Sequence, residues 1–238
     1  MMKRAFHFFF VVACFSFATA DGIAQNITAE FLLLQNRYAS LKNYSVSMNY
    51  KAYKGHTSTE VADVQSGIYE LFNQKMRFVM GDIEVVQNGT YTIQIDKKFQ
   101  EMDISETPTG WAPPVFGNFS RLDTILQKHN AVSFKQEASG ARLLTFNLKK
   151  SGEEYEKIEI KYQSSGDITS ITLFYRGNSD AYGVEEVYKP RVEIQYLNQN
   201  FRPAFTDEHF SEKKYFLLQN GKKMPNNLFK NYKIFDQP

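Results

Sequence analysis

One cysteine occurs in the 238 residues, Cys14, and it sits near the amino terminus inside an apolar run. A chain so poor in thiols has no disulfide framework to hold it together and, beyond residue 14, no thiolate for catalysis or metal binding. Phosphate-binding and nucleophile loops are missing too: no G-x-G-x-x-G, no Walker-type loop and no G-x-S-x-G elbow occurs. Histidine is sparse, with His7, His56, His129 and His209 far apart and no H-E-x-x-H pair, so no metal site is expected. An excess of either charge is also lacking. The formal charge is +2, and it falls to zero without Lys3 and Arg4, which excludes a chain built to hold nucleic acid. After the amino-terminal run, no stretch approaches the roughly 18 apolar residues needed to cross a bilayer as a helix.

What is present begins with MMKRAFHFFFVVACFSFATADG, a cationic start, an apolar stretch and an Ala18-Thr19-Ala20 ending. These are the three parts of a secretory signal, so residues 1–20 read as a leader and the chain as exported to the periplasm. Val11-Val12-Ala13-Cys14 also fits a loose lipobox, in which Cys14 is lipidated and anchors the chain in the envelope. Against that, Phe15 to Ala18 prolong the apolar run where a lipoprotein turns polar.

Phe31, Leu34, Tyr38 and Leu41 recur at helical spacing, with Asn26 or Thr28 as cap, and predict an amphipathic helix over Ile27 to Leu41. After Asn43 the period becomes two. YSVSMNYKAYK, VADVQSGIYELF, KMRFVMG, IEVVQ, TYTIQID and FQEMDI follow one another across short turns such as Asn73-Gln74 and Asn88-Gly89, the pattern of an antiparallel meander. Residues 105–119, with three prolines and the only tryptophan, interrupt it, and a second helix is predicted over about Asn118 to His129. Strands resume with VSFKQEA, ARLLTFNLK, YEKIEIKYQ, ITSITLFYR and VEEVYKPRVEIQYL. From Phe201 the chain reads as a hairpin-like extension, packed through Phe216, Leu218, Phe229 and Ile234. The expected organisation is one mainly β (α+β) domain over 21–200, with 201–238 packed on it.

Methionine is concentrated on the first strands. Met48, Met76, Met80 and Met102 all fall there, and a flexible thioether suits surfaces that meet irregular apolar partners. The alternation sets Val46, Met48 and Tyr50 on one strand face, Met76, Phe78 and Met80 on another, then Tyr91, Ile93 and Ile95, then Met102 and Ile104. These eleven residues are the candidate lining of an apolar cavity; a plain core beneath the helices would use the same residues. Trp111, Val115, Phe116 and Phe119, in the proline-braced loop, have the character of a lid over it.

The helix ending in YASLKNYSVSMNY, the meander through SGIYELFNQKMRFVMGDIEVVQNGTYTIQIDKKFQEMDI and the helix after it resemble the LolA-like superfamily of bacterial envelope proteins over roughly residues 27–175. That group includes outer-membrane lipoprotein carriers, LolB and the sensing domain of RseB. The resemblance implies a strongly curved antiparallel sheet, an unclosed half-barrel with helices covering its concave face, and a cavity that receives acyl chains. It implies a carrier without enzymatic activity or cofactor, whose partner is a lipid or an acylated protein and which meets envelope membrane proteins. Where the carriers have a basic residue before proline, this chain has Phe72-Asn73. A scaffold or sensing protein whose half-barrel is filled by its own helices is the alternative.

Overall fold

Period-two alternation becomes strand almost wherever it occurs. The computed structural model describes residues 18–39, 41–108, 131–148, 154–177 and 189–236. Helix α1 spans Ala18–Tyr38, starting nine residues before the predicted Ile27 and ending three before Leu41. The first meander is β1 (Asn43–Tyr53), β2 (Val61–Phe72), β3 (Lys75–Met80), β4 (Ile83–Gln87), β5 (Tyr91–Asp96) and β6 (Glu101–Glu106). The second run is β7 (Ala131–Gln136), β8 (Arg142–Asn147), β9 (Tyr155–Tyr162), β10 (Ile168–Tyr175) and β11 (Arg191–Asn200). After three-residue to four-residue 3-10 turns come β12 (Phe216–Gln219), β13 (Lys222–Pro225) and β14 (Lys233–Asp236). The predicted second helix lies outside the described residues, as do Cys14 and most of the predicted leader.

Twelve strands form one sheet in the order β14-β6-β5-β4-β3-β2-β1-β11-β10-β9-β8-β7, with β12 and β13 as a separate hairpin. The two edge strands, β14 and β7, do not pair, so the sheet is unclosed. Neighbours are antiparallel throughout, except that β14 runs parallel to β6, with Ile234 opposite Met102. Asn73 and Gln74 both take positive φ (47° and 71°), as a two-residue hairpin between twisted strands requires.

Helix α1 lies on one face. Phe31, Leu34 and Tyr38, at 1%, 0% and 2% exposure, join Tyr44, Val46, Met48, Leu144, Phe146 and Tyr162 in a single core, and each such side chain contributes about 1.5–3 kcal/mol. Polar contacts fix the helix. Glu30, buried, accepts hydrogen bonds from Arg142 Nη1 at 2.9 Å and from the Tyr162 hydroxyl at 2.9 Å. Arg37 pairs with Asp167 at 2.6 Å and stacks over Phe201. Tyr38 accepts from the Ile168 amide at 2.9 Å, and burial pushes its hydroxyl pKa up to about 12 against the lowering effect of that bond. The β9–β10 turn comes close enough that a Cβ on Gly166 would sit 3.3 Å from Leu33 and Arg37 of the helix.

Between β3 and β4 the apolar side of the sheet changes. On the helix face Phe78 pairs with Val85, Val85 with Gln94 and Gln94 with Asp103, so polarity rises strand by strand. On the opposite face Glu84 pairs with Ile95, Ile95 with Met102 and Met102 with Ile234. There Val86, Ile93, Ile95, Met102 and Ile104 form a second core with Tyr215 and Phe216, against which Phe229, Tyr232 and Ile234 pack. The carboxyl-terminal segment thus covers the side of β4–β6 that faces away from α1. Leu218, expected to help anchor it, is 60% exposed, because the β12–β13 hairpin projects past the core.

A charged chain of contacts crosses this second interface. His209 bonds Glu70 at 2.8 Å, Glu70 bonds Arg77 at 3.0 Å, Arg77 bonds Glu84 at 2.8 Å, and Glu84 also receives Lys97 at 3.0 Å and the Tyr215 hydroxyl at 2.8 Å. Burial opposes ionisation of Glu84, but the bonds from Arg77, Lys97 and Tyr215 outweigh it and hold the carboxyl below its usual range.

Candidate functional site

The register brings six of the eleven candidate residues to the helix face or its continuation and leaves the other five on the opposite face. Val46 and Met48, on β1, are buried in the core that holds Phe31, Leu34 and Tyr38, so the helix meets them directly. Tyr50, Met76, Phe78 and Met80 share that face and are half-buried. Tyr69 pairs with both Val46 and Phe78, and so belongs to the same surface. Ile93, Ile95, Met102 and Ile104 lie fully buried on the opposite face, and Tyr91 packs against that second core, its ring 5.3 Å from Phe216. Trp111, Val115, Phe116 and Phe119 lie outside the described residues.

Sequence reasoning missed the other wall. Tyr196 pairs with Met48 and Ile194 with Tyr50, while Ile171 sits opposite Ile194, so β10 and β11 extend the surface across β1. The alternation in ITSITLFYR and RVEIQYL was the available signal. What it lacked was a pairing partner, since β1 joins β11 across nearly the whole domain.

Two details shape this surface. Gly67 lies between Met48 and Met80 in register, and a Cβ there would stand 2.3 Å from the Val79 carbonyl oxygen and 3.1 Å from the Met80 thioether. Met80 therefore folds over the gap that glycine leaves. Gly67→Ala should destabilise the protein by about 1–3 kcal/mol through overpacking, read from urea unfolding midpoints. The second detail is the Tyr69 hydroxyl, which is buried and has no hydrogen-bond partner among the described residues; burial raises its pKa, so it stays a neutral donor.

The helix makes its polar contacts with β8, β9, the β9–β10 turn and, through Tyr38 and Gln199, the end of β11. The strip from Tyr50 through Met76, Phe78 and Met80 lies toward the other half of the sheet. It offers flexible thioethers, aromatic rings and one unused donor, which suits an apolar chain carrying a single acceptor. A groove of about 330 Å³ on the opposite face, lined by Glu137, Glu159, Lys161, Arg191 and Glu193 among others, has the wrong polarity for such a ligand. Among the described residues, no group of three or more His, Cys, Asp or Glu could hold a metal ion, and no helix is long and apolar enough to cross a membrane.

These features define an open, mostly antiparallel sheet with a helix packed on one face and an apolar strip beside it. Solved structures to which the chain is similar include an uncharacterized conserved protein from Thermus thermophilus (7% identity, covering 89% of this chain and 99% of that one, TM-score 0.49). They also include a LolA superfamily protein from Nitrosomonas europaea (9%, 77% and 96%, TM-score 0.33) and a DUF1329 family protein from Desulfovibrio piger (9%, 77% and 96%, TM-score 0.35). The open, mostly antiparallel sheet expected from the sequence is the one found. No family model and no curated protein matches the sequence.

Proposed function

We propose that the protein is a binding or carrier protein of the cell envelope that holds a lipid, an acyl chain or an acylated protein on the strip formed by Tyr50, Met76, Phe78 and Met80. The observation that carries this reading is the half-buried run of thioethers and rings continuing the helix-covered core, with a buried Tyr69 hydroxyl within it that has no partner among the described residues. Each methylene of an acyl chain taken from water is worth about 0.8 kcal/mol, so a short occupied length gives useful affinity. Tyr69 then supplies the one directed contact, to a carbonyl or carboxylate oxygen. The leader pattern of residues 1–20 supports export to the periplasm.

Tyr69→Phe separates binding from folding. Removing an unsatisfied hydroxyl should leave unfolding midpoints unchanged or slightly raised, while affinity for a fluorescent fatty acid falls by about tenfold, the worth of one hydrogen bond. Absence of any saturable fatty-acid binding by the wild-type protein, together with an empty lipid extract by mass spectrometry, would remove the carrier reading. A second reading rests on Val46 and Met48, which α1 already covers: a self-filled scaffold that binds partners through its surface. That reading predicts the negative result in both assays.

A further inference from the structure

We propose that the carboxyl-terminal segment, Ser211 to Asp236, is a docking surface for anionic lipid bilayers. Its inner side is spoken for: Tyr215 and Phe216 are buried on β4–β6, and Phe229, Tyr232 and Ile234 pack beside them. The segment nevertheless leaves Leu217, Leu218, Met224 and Leu228 at 41%, 60%, 44% and 83% exposure. In register, Leu217 pairs with Met224 and Gln219 with Lys222, so two of these apolar residues share the outward face of the hairpin with a lysine. Leu218 overhangs toward the Asn220-Gly221 tip. The core does not bury these side chains, and several large apolar groups left exposed on one short segment mark an interaction site.

The charge around them selects the partner. The segment carries six lysines against Glu212 and Asp236, whereas residues 21–210 carry four more acids than bases. Lys223 is turned inward, bonded to Asp236 and 5.1 Å from the Tyr91 ring, and Lys214 donates to the His209 carbonyl. Lys213, Lys222, Lys230 and Lys233 remain exposed beside the leucines. Leucines to enter the acyl boundary and lysines to meet phosphate headgroups are the pairing that interfacial anchors use. No helix or covalent lipid is required. The surface lies on the face opposite α1 and is independent of whether the Tyr50–Met80 strip holds a ligand.

The test is co-sedimentation of the protein, expressed with its own leader and purified as the cell processes it, with vesicles of phosphatidylcholine alone or with equal parts phosphatidylglycerol. Binding is expected to the mixed vesicles and not to phosphatidylcholine, and to be lost at high salt. Lys222→Glu with Lys230→Glu should weaken it by about thirtyfold. Leu218→Ser with Leu228→Ser should weaken it by about tenfold, with unfolding midpoints unchanged because both side chains are exposed. No sedimentation with the mixed vesicles overturns the proposal. So does binding that the leucine variant leaves intact while heparin retains wild type and leucine variant alike, which would show a cationic patch without bilayer insertion.

Discussion

Replacing Arg77 with alanine is expected to destabilise the protein by about 3–5 kcal/mol, among the largest effects of any single substitution outside the apolar cores. Arg77 lies between two acids, Glu70 at 3.0 Å and Glu84 at 2.8 Å, and Glu84 is only 5% exposed. Alanine leaves both carboxylates facing each other with Lys97, Tyr215 and His209 as their remaining partners. The cost is the charge left without its guanidinium in a poorly hydrated place, more than the attraction lost. Urea unfolding at neutral pH measures it; a loss below about 1 kcal/mol would mean that the pairs behave as solvent-exposed ones. The same network sets an acid limit. Because the Glu84 carboxyl is held below its unfolded value of 4.5, its contribution is fully present above about pH 4.5 and is lost as pH falls through the lowered folded value. Wild-type stability should therefore decline on acidification below that point, and Glu84→Gln should flatten the decline.

The second large effect is expected from Phe31→Ala, at about 3–5 kcal/mol. Phe31 is 1% exposed and meets Phe146 edge-on at 5.5 Å, in the centre of the seam between α1 and β8. Truncation removes the ring's contacts and leaves a void that Leu34 and Leu144, already fully buried, are poorly placed to fill. The contacts to Glu30 and Arg37 flank the void and keep the helix near the sheet, so the loss should appear mainly as a lower unfolding midpoint. Limited proteolysis adds a second readout: cleavage within α1 should accelerate relative to cleavage in β1–β6.

Strand positions were legible because each strand is half-covered, and a half-covered strand alternates. YSVSMNYKAYK differs from β1 by one residue at each end. The face each strand buries was not legible, because alternation in TYTIQID looks the same whichever side of the sheet is covered. Only the register shows that Ile93 and Ile95 sit back to back with the Met76 to Met80 row, which divides the candidate cavity into two unrelated surfaces. Contacts between distant residues were hidden for a similar reason. Glu30 with Arg142 and Tyr162, or Arg77 with Tyr215 through Glu84, join residues more than a hundred positions apart, and no local pattern reports them. Exposure of Leu218 was invisible too, since a hairpin that overhangs its core has the composition of one that does not.

The parallel pairing of β14 with β6 bears on the order in which the sheet can form. Residues 233–236 close the edge of a strand completed about 130 residues earlier. Until they arrive, β6 keeps an open row of amides and the apolar side of β5 and β6 lacks Ile234, Tyr232 and Phe229. Meander and cap are thus separated by about 130 residues, and loop closure of that length is slow. A nascent or clipped chain would therefore display the sticky edge that proteases and holding chaperones recognise. Strand β14 works as a seal, closing an edge that the meander alone leaves open.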